Sequence, residues 1–206
     1  MSVTRTLILC ISALVLNSSV SELAAQDNKA GKPDYYPMKV GTTWYYKGEA
    51  NGNPLTLRNE VTKIENINGV EMSRIETFTA NEMSVANEHV SANAKGIYRN
   101  RVQGNEPDPA VLILQYPAKA GLKWNVESKV GTETISGVYK TEEEEVTVPA
   151  GKYKAIKVIS DAEVKPSGQK VLSTVWMVDG VGVVKQITDL GQIVIKLELD
   201  KFVPGK

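Results

Sequence analysis

Four groups of residues have types and spacings that could do chemistry. His89 is the only histidine in the chain, and an imidazole can serve as a general base or a metal ligand. No cysteine, second histidine or nucleophile motif stands beside it, so it reads as a solvated strand residue. Residues 142–145 are four consecutive glutamates. Calcium needs carboxylates that converge, and in a strand only Glu142 with Glu144, or Glu143 with Glu145, share a face. The run therefore reads as an exposed, charged edge strand that resists aggregation. Gly180-Val181-Gly182 has two glycines of a dinucleotide loop, but Lys185 stands where the third belongs, and no helix follows. It reads as a hairpin. G-x-S-x-G, H-E-x-x-H and Walker patterns do not occur. No catalytic, cofactor-binding or metal residue is assigned, and the expectation is a non-enzymatic protein without a cofactor.

The fourth group is aromatic. Tyr35, Tyr36, Trp44, Tyr45 and Tyr46 cluster near the start of the chain, echoed by Tyr116 and Trp124. Such rings stack on sugars or line apolar pockets; they also fill cores. The core reading is favoured for Trp44 and Trp124. Alternation puts Tyr45 opposite Trp44 and Tyr46, which leaves Tyr35 and Tyr45 as candidate contacts to a ligand or partner.

These aromatics belong to a repeat. Residues 36–44, Tyr-Pro-Met-Lys-Val-Gly-Thr-Thr-Trp, return at 116–124 as Tyr-Pro-Ala-Lys-Ala-Gly-Leu-Lys-Trp, with five of nine positions identical. The chain has only 3 Trp, so two in register argue for duplicated architecture. Pro37, Gly41 and Trp44, with Pro117, Gly121 and Trp124, are its structural anchors. After each Trp the same order follows: a strand, a hairpin near Gly69 or Gly151, a Gly-x-x-base phrase (Gly96-Ile97-Tyr98-Arg99, then Gly182-Val183-Val184-Lys185), and a closing apolar strand.

The elements that must carry these residues are strands. In residues 193–200, Ile193, Ile195, Leu197 and Leu199 alternate with Lys196, Glu198 and Asp200, the pattern of a strand with one dry face. Residues 111–116 and 171–178 are apolar on both faces. Asn51-Gly52, Asn68-Gly69 and Asp179-Gly180 are hairpin dipeptides, and Val148-Pro149-Ala150-Gly151 suits a type I turn. Residues 80–95 mix helical and alternating spacing; a strand through Val90 is expected. The predicted fold is all-β. Two tandem antiparallel meanders, about 35–116 and 115–204, form one curved sheet, open barrel or sandwich with little helix. No linker separates the halves, so residues 35–206 read as a single β domain.

Before them, residues 1–25 read as a signal peptide. Arg5 is followed by an apolar run over 7–16, shorter than the roughly 20 residues a permanent span needs, and by small residues that permit cleavage after Ala25 or after Ser21. Cys10 follows Leu9 rather than a small residue and lies within the apolar run, so it reads as part of the signal, not as a lipidation site. It is the only cysteine. Its removal leaves no thiol chemistry or disulfide, which fits a bacterial periplasmic or secreted protein. Residues 26–34 read as a flexible leader. The formal net charge is +0, without the basic excess of a nucleic-acid binder or a polybasic membrane patch. No transmembrane segment is expected in the mature chain.

The phrase Tyr35-Tyr36-Pro37-x-x-Val40-Gly41-x-x-Trp44-x-Tyr46 resembles the start of many uncharacterised exported β-rich bacterial proteins. So do Val146-x-Val148-Pro149-Ala150-Gly151-x-Tyr153 and Gly180-Val181-Gly182-x-Val184-Lys185. More remotely, the layout is similar to the open β-barrels of periplasmic lipoprotein carriers of the LolA/LolB type. That resemblance implies a concave sheet able to hold an acyl chain. The expected function is an exported, non-catalytic envelope protein that binds a lipid or other apolar or amphipathic small molecule in the concavity of its sheet. The alternative is a module that binds another envelope protein. A hydrolase acting on envelope polymers is the third reading.

Overall fold

A computed structural model describes residues 33–206; residues 1–25, expected to be a signal peptide, and most of 26–34, the expected leader, lie outside the described residues. Twelve strands form one antiparallel sheet: β1 (Thr43–Ala50), β2 (Asn53–Ile67), β3 (Val70–Thr79), β4 (Ser84–Asn93), β5 (Gly96–Val102), β6 (Val111–Gln115), β7 (Lys123–Val130), β8 (Glu133–Val148), β9 (Gly151–Lys165), β10 (Gln169–Val178), β11 (Gly182–Asp189) and β12 (Val194–Val203). Their order is β6-β5-β4-β3-β2-β1-β12-β11-β10-β9-β8-β7. Each half is a six-strand meander, and the β1–β12 pair joins them. The predicted all-β class holds, and the described residues contain no helix. Residues 80–95 supply β4.

The turns follow from their residues. Asn51-Gly52 and Asn68-Gly69 both take positive φ at both positions (49° and 79°, 53° and 80°), the geometry of two-residue hairpins whose twist matches the strands. The Asp179-Gly180 hairpin is one residue longer. Only its glycine takes positive φ, 74°, and Val181 N–H returns to Val178 O at 3.1 Å.

The sheet curls into a nearly closed barrel, and a seam remains between β6 and β7. Asp108, before β6, and Lys129 on β7 exchange two backbone hydrogen bonds at 2.9 and 2.8 Å. Ser128 Oγ donates to Pro109 O at 2.6 Å, and Trp124 Nε1 donates to Leu112 O at 3.2 Å. The remaining edges of β6 and β7 lack the continuous ladder found between all other neighbours.

Both repeated phrases lie at one end of this barrel, the near end, and cross it in the same way. Gly41 N–H donates to Val61 O and Val61 N–H to Thr42 O; Gly121 N–H donates to Thr141 O and Thr141 N–H to Leu122 O. Gly41 and Gly121 take φ of 84° and 82°, a conformation costly for residues with a Cβ. The two approaches meet where Tyr35 packs on Tyr116, 6.5 Å between ring centres.

The concave face is filled at the near end. Trp44, Tyr46, Val90, Ile97, Leu114, Met177 and Leu199 belong to one buried apolar cluster. Trp44 packs on Tyr36 and Phe202, and its indole N–H reaches Val181 O at 2.6 Å. The β8–β9 hairpin bends inward as well: Ala150 N–H donates to Leu199 O at 2.9 Å, and Val146, Val148 and Ala155 join the core. The β2–β3 hairpin, its counterpart in the first half, projects instead, with Ile64 43% and Val70 42% exposed.

Candidate functional site

Strand register identifies which side chains face inward. Ile75 on β3 pairs with Glu88 on β4, and Glu88 pairs with Val102 on β5; Val90 pairs with Arg99, and Arg99 with Val111 on β6. Ile75, Val90 and Val111 are core residues, so Glu88 and Arg99 point into the concavity. Arg99 Nε donates to Glu88 Oε2 at 2.6 Å. The Tyr36 hydroxyl, carried inward by the segment before β1, donates to Glu88 Oε1 at 3.3 Å. Tyr46 approaches the same carboxylate from β1 and donates to Val183 O at 2.8 Å.

This is a charged pair inside an otherwise apolar shell, and its electrostatics follow from that. Burial pushes the Tyr36 phenol well up, and the Glu88 charge adds to the shift; the Tyr46 phenol is raised for the same reasons in the same order. The Glu88 carboxylate holds the Arg99 guanidinium above its usual value, against the opposing effect of burial. Arg99 is enclosed by protein on many sides, yet 36% of its side chain is reached by solvent, and 21% of the Glu88 side chain. The pair stands on the concave face of the sheet, partly open to solvent. Around it, Ala86, Val102, Tyr139, Gln186 and Thr188 are only half-buried. Across from the pair, Ser173 Oγ lies 3.2 Å from Thr188 Oγ1, and Gln186 Nε2 donates to Thr188 Oγ1 at 3.0 Å. The accessible part of the concavity is thus amphipathic: a guanidinium–carboxylate pair, a patch of hydroxyls and an amide, and apolar walls.

The residues singled out from the sequence fall elsewhere. Tyr35 is half-buried against Tyr116 at the near end. Tyr45 faces outward from β1, with Lys201 Nζ 5.7 Å from its ring centre. Pro37 and Pro117 lie in the two approaches, and Gly182 comes so close to Trp44 and Pro37 that a Cβ there would stand 3.0 Å from the indole nitrogen. Trp44 is a core residue. Trp124 is half-buried on β7, packs on Tyr139 at 5.7 Å and ties the seam.

His89 departs from its reading as a solvated residue. It is 5% exposed on the outer face of β4, in register between Arg74 of β3 and Arg101 of β5, whose long side chains flank it. Its Nε2 lies 2.8 Å from Glu65 Oε2, so Nε2 carries the proton, since a carboxylate only accepts. Lys63 first, and His89 second, lower the Glu65 carboxyl to about 2. The glutamates of 142–145 lie on β8, which is not an edge strand. Its pairing with β7 ends at Lys140, however, so this stretch has one free side. Lys157 bridges Glu142 and Glu144 at 3.2 and 2.7 Å, and Lys152 meets Glu145 at 2.7 Å. Among the described residues no group of three His, Cys, Asp or Glu could hold a metal ion, and no helix is long and apolar enough to cross a membrane. A surface cleft of about 530 Å³ near Gly137 is lined by Asp161, Glu163 and Lys170. It lies away from the concave pair, and Glu163 is already paired with Lys170 at 2.8 Å.

Nothing in the sequence alone marks Glu88 and Arg99 as a pair. The sequence signal available was the Gly-x-x-base phrase, which placed Arg99 beside Lys185 without saying which face either would take.

No family model matches the chain, and no curated protein matches it. Two solved structures share its fold. One is a "putative lipoprotein" from Parabacteroides distasonis, with TM-score 0.53 and 12% identity, covering 83% of this chain and 99% of that one. The other is a "putative exported protein with YmcC-like fold" from Bacteroides fragilis, with TM-score 0.52 and 12% identity, covering 84% of this chain and 100% of that one. At that identity the likeness shows the fold alone.

Proposed function

We propose that this is an exported, non-catalytic envelope protein that binds an apolar or amphipathic small molecule in the concavity of its barrel. The observation that carries the reading is the unequal filling of the concave face. The near end is packed with Trp44, Tyr46 and Leu199. Beside Glu88 and Arg99, whose register partners Ile75, Val90 and Val111 are buried, the inward side chains of Ala86, Val102 and Tyr139 stay half-exposed. Inward positions normally fill a small barrel, and a wet, walled space with few polar groups is the usual form of a ligand site. Export is supported by the signal-like first 25 residues and by the description of one structural neighbour as exported.

Native mass spectrometry of protein purified from a bacterial periplasm tests this. A co-purified amphiphile, or uptake of one when offered, is expected. A clean apo mass that takes up no lipid sinks the reading.

One observation favours the alternative, a protein-interaction module. On the projecting β2–β3 hairpin, residues 62–67 of β2 pair with β3 but extend beyond the pairing with β1, and Ile64 and Val70 are exposed there. Exposed strand edges accept strands from partners. A specific partner captured by the wild type and lost with Ile64→Lys, in a protein that takes up no lipid, would decide for this alternative.

A further inference from the structure

We infer that the ligand of the concavity carries an anionic head, a carboxylate or a phosphate, received by the Arg99 guanidinium. This rests on the ligand-binding reading above and names the class of molecule that reading leaves open.

In β1–β7 and β10–β12, Arg99 is the one Arg or Lys that the register places on the concave face. Lys47, Arg58, Arg74, Arg101, Lys123, Lys129, Lys185 and Lys196 stand at outward positions. A barrel that needed only an apolar interior would put no cation there, because burying one costs free energy unless it is paired.

Glu88 supplies that pairing incompletely. A guanidinium has five N–H donors, and Glu88 engages Nε. The two terminal amino groups donate to no hydrogen-bond acceptor among the described residues, and the side chain is one-third open to solvent. Their fork matches the two oxygens of a carboxylate or phosphate. Glu88 also receives the Tyr36 hydroxyl on its other oxygen, Oε1. The Tyr139 ring stands on the same concave face, near enough to act on the Arg99 guanidinium, and its hydroxyl has no hydrogen-bond partner among the described residues. It is placed to donate to the same anion. The apolar side chains of Val102, Ala86 and Val175, half-exposed nearby, would take the tail.

The test uses the mature protein stripped of bound lipid, with dodecanoate, dodecyl phosphate and dodecanol as probes in isothermal titration at neutral pH. The three share a tail and differ in the head. The wild type should bind an anionic probe about tenfold tighter than dodecanol, the range of a charge-assisted hydrogen bond. Preference for dodecanoate identifies a fatty-acid type of head, and preference for dodecyl phosphate a lipid-phosphate type. In Arg99→Met the anion-to-alcohol ratio should fall to about one. In Glu88→Gln, which keeps Arg99 and removes the competing carboxylate, the ratio should rise. Equal binding of all three probes by the wild type overturns the anionic head while leaving the ligand-binding reading intact. A ratio unchanged in Arg99→Met, or lowered in a folded Glu88→Gln, overturns it as well. Failure of every probe to bind overturns both readings.

Discussion

The two halves of the barrel contain the same short phrase, a glycine followed three residues later by a base, and put that base on opposite faces. In the first half Gly96 pairs with Asn93, Ile97 with Ala92 and Arg99 with Val90, and the β-bulge comes afterwards, at Asn100. Arg99 therefore stays inward. In the second half Gly182 pairs with Val178 and Val183 with Met177, and the bulge comes at once, at Val184. Lys185 is thereby turned outward, where it lies over Trp176 at 5.6 Å and pairs with Glu198 at 2.7 Å. One extra residue, placed before or after the base, exchanges faces. The first half gained a charged interior, and the second gained part of a surface belt that runs Glu142, Lys157, Trp176, Lys185, Glu198 from β8 to β12. Both halves are six-strand meanders; the bulges separate the roles of their bases.

The same contrast holds for the two tryptophans, and it carries the largest expected effect. Trp44 is fully buried, bonded to Val181 O and packed on two rings. Trp124 is half-buried and ties β7 to β6. Trp44→Ala should cost about 3–5 kcal/mol in urea unfolding. Trp124→Ala should cost less than half of that, and should raise hydrogen exchange chiefly at β7 amides along the seam. Equal losses, or no local change at β7, would mean that the two positions do the same work after all.

The bases come next. Arg99→Met leaves Glu88 uncompensated inside the barrel. A fully buried pair broken in this way costs about 3–5 kcal/mol, and partial solvent access reduces the expectation to about 1–2 kcal/mol. Lys185→Met removes a base from the surface belt, where pairs contribute roughly 0–1 kcal/mol. Urea midpoints of the two variants check the ordering. A Lys185→Met loss equal to that of Arg99→Met would argue that the belt, not the interior, holds this part of the sheet.

The two phrase glycines sharpen the comparison from the other side, because here the halves agree. Gly41 and Gly121 share φ near 80°, and a Cβ at either would meet nothing within 4 Å. Only backbone strain acts, so Gly41→Ala and Gly121→Ala should each cost about 1 kcal/mol, equal within error in thermal denaturation. A marked inequality would show that one phrase is less constrained than its twin.

Much of this architecture was legible from the sequence. Asn51-Gly52 and Asn68-Gly69 announce their turns because so few residues tolerate positive φ, and Ile195, Leu197 and Leu199 announce the dry face of β12 by alternation. What lay outside that reading depends on neighbours distant in sequence. A bulge at Asn100 or Val184 has no local signature, so the face taken by Arg99 and Lys185 could not be read. His89 looks solvated because nothing adjacent in sequence covers it; Arg74 and Arg101 do so from flanking strands. The inward bend of the β8–β9 hairpin rests on a bond from Ala150 to the distant Leu199 and on core packing of Val146, Val148 and Ala155, and Asn68-Gly69 makes a hairpin that stays out.

Those two hairpins give the smallest expected effect, read with pH. Glu65 holds the projecting hairpin of the first half to His89 on β4 and pairs with Lys63 on its own strand, and its carboxyl is lowered to about 2. A carboxylate with a depressed folded-state value contributes stability that is complete above its unfolded value, about 4.3, and that is lost as pH falls toward the folded value. The loss therefore falls between about pH 5 and pH 2. On the inward hairpin, Glu145 is lowered by Lys152 and titrates in the same direction. The Glu65 side chain is 28% exposed and screened by solvent, so the effect is a modest steepening of the acid limb of melting temperature against pH. Glu65→Gln should flatten that limb and slow the acid-induced rise in hydrogen exchange at residues 62–72, while Glu145→Gln should leave exchange there as in the wild type. If Glu145→Gln protects residues 62–72 as well as Glu65→Gln does, the two hairpins respond to acid as one unit, and the division between an outward and an inward arm fails.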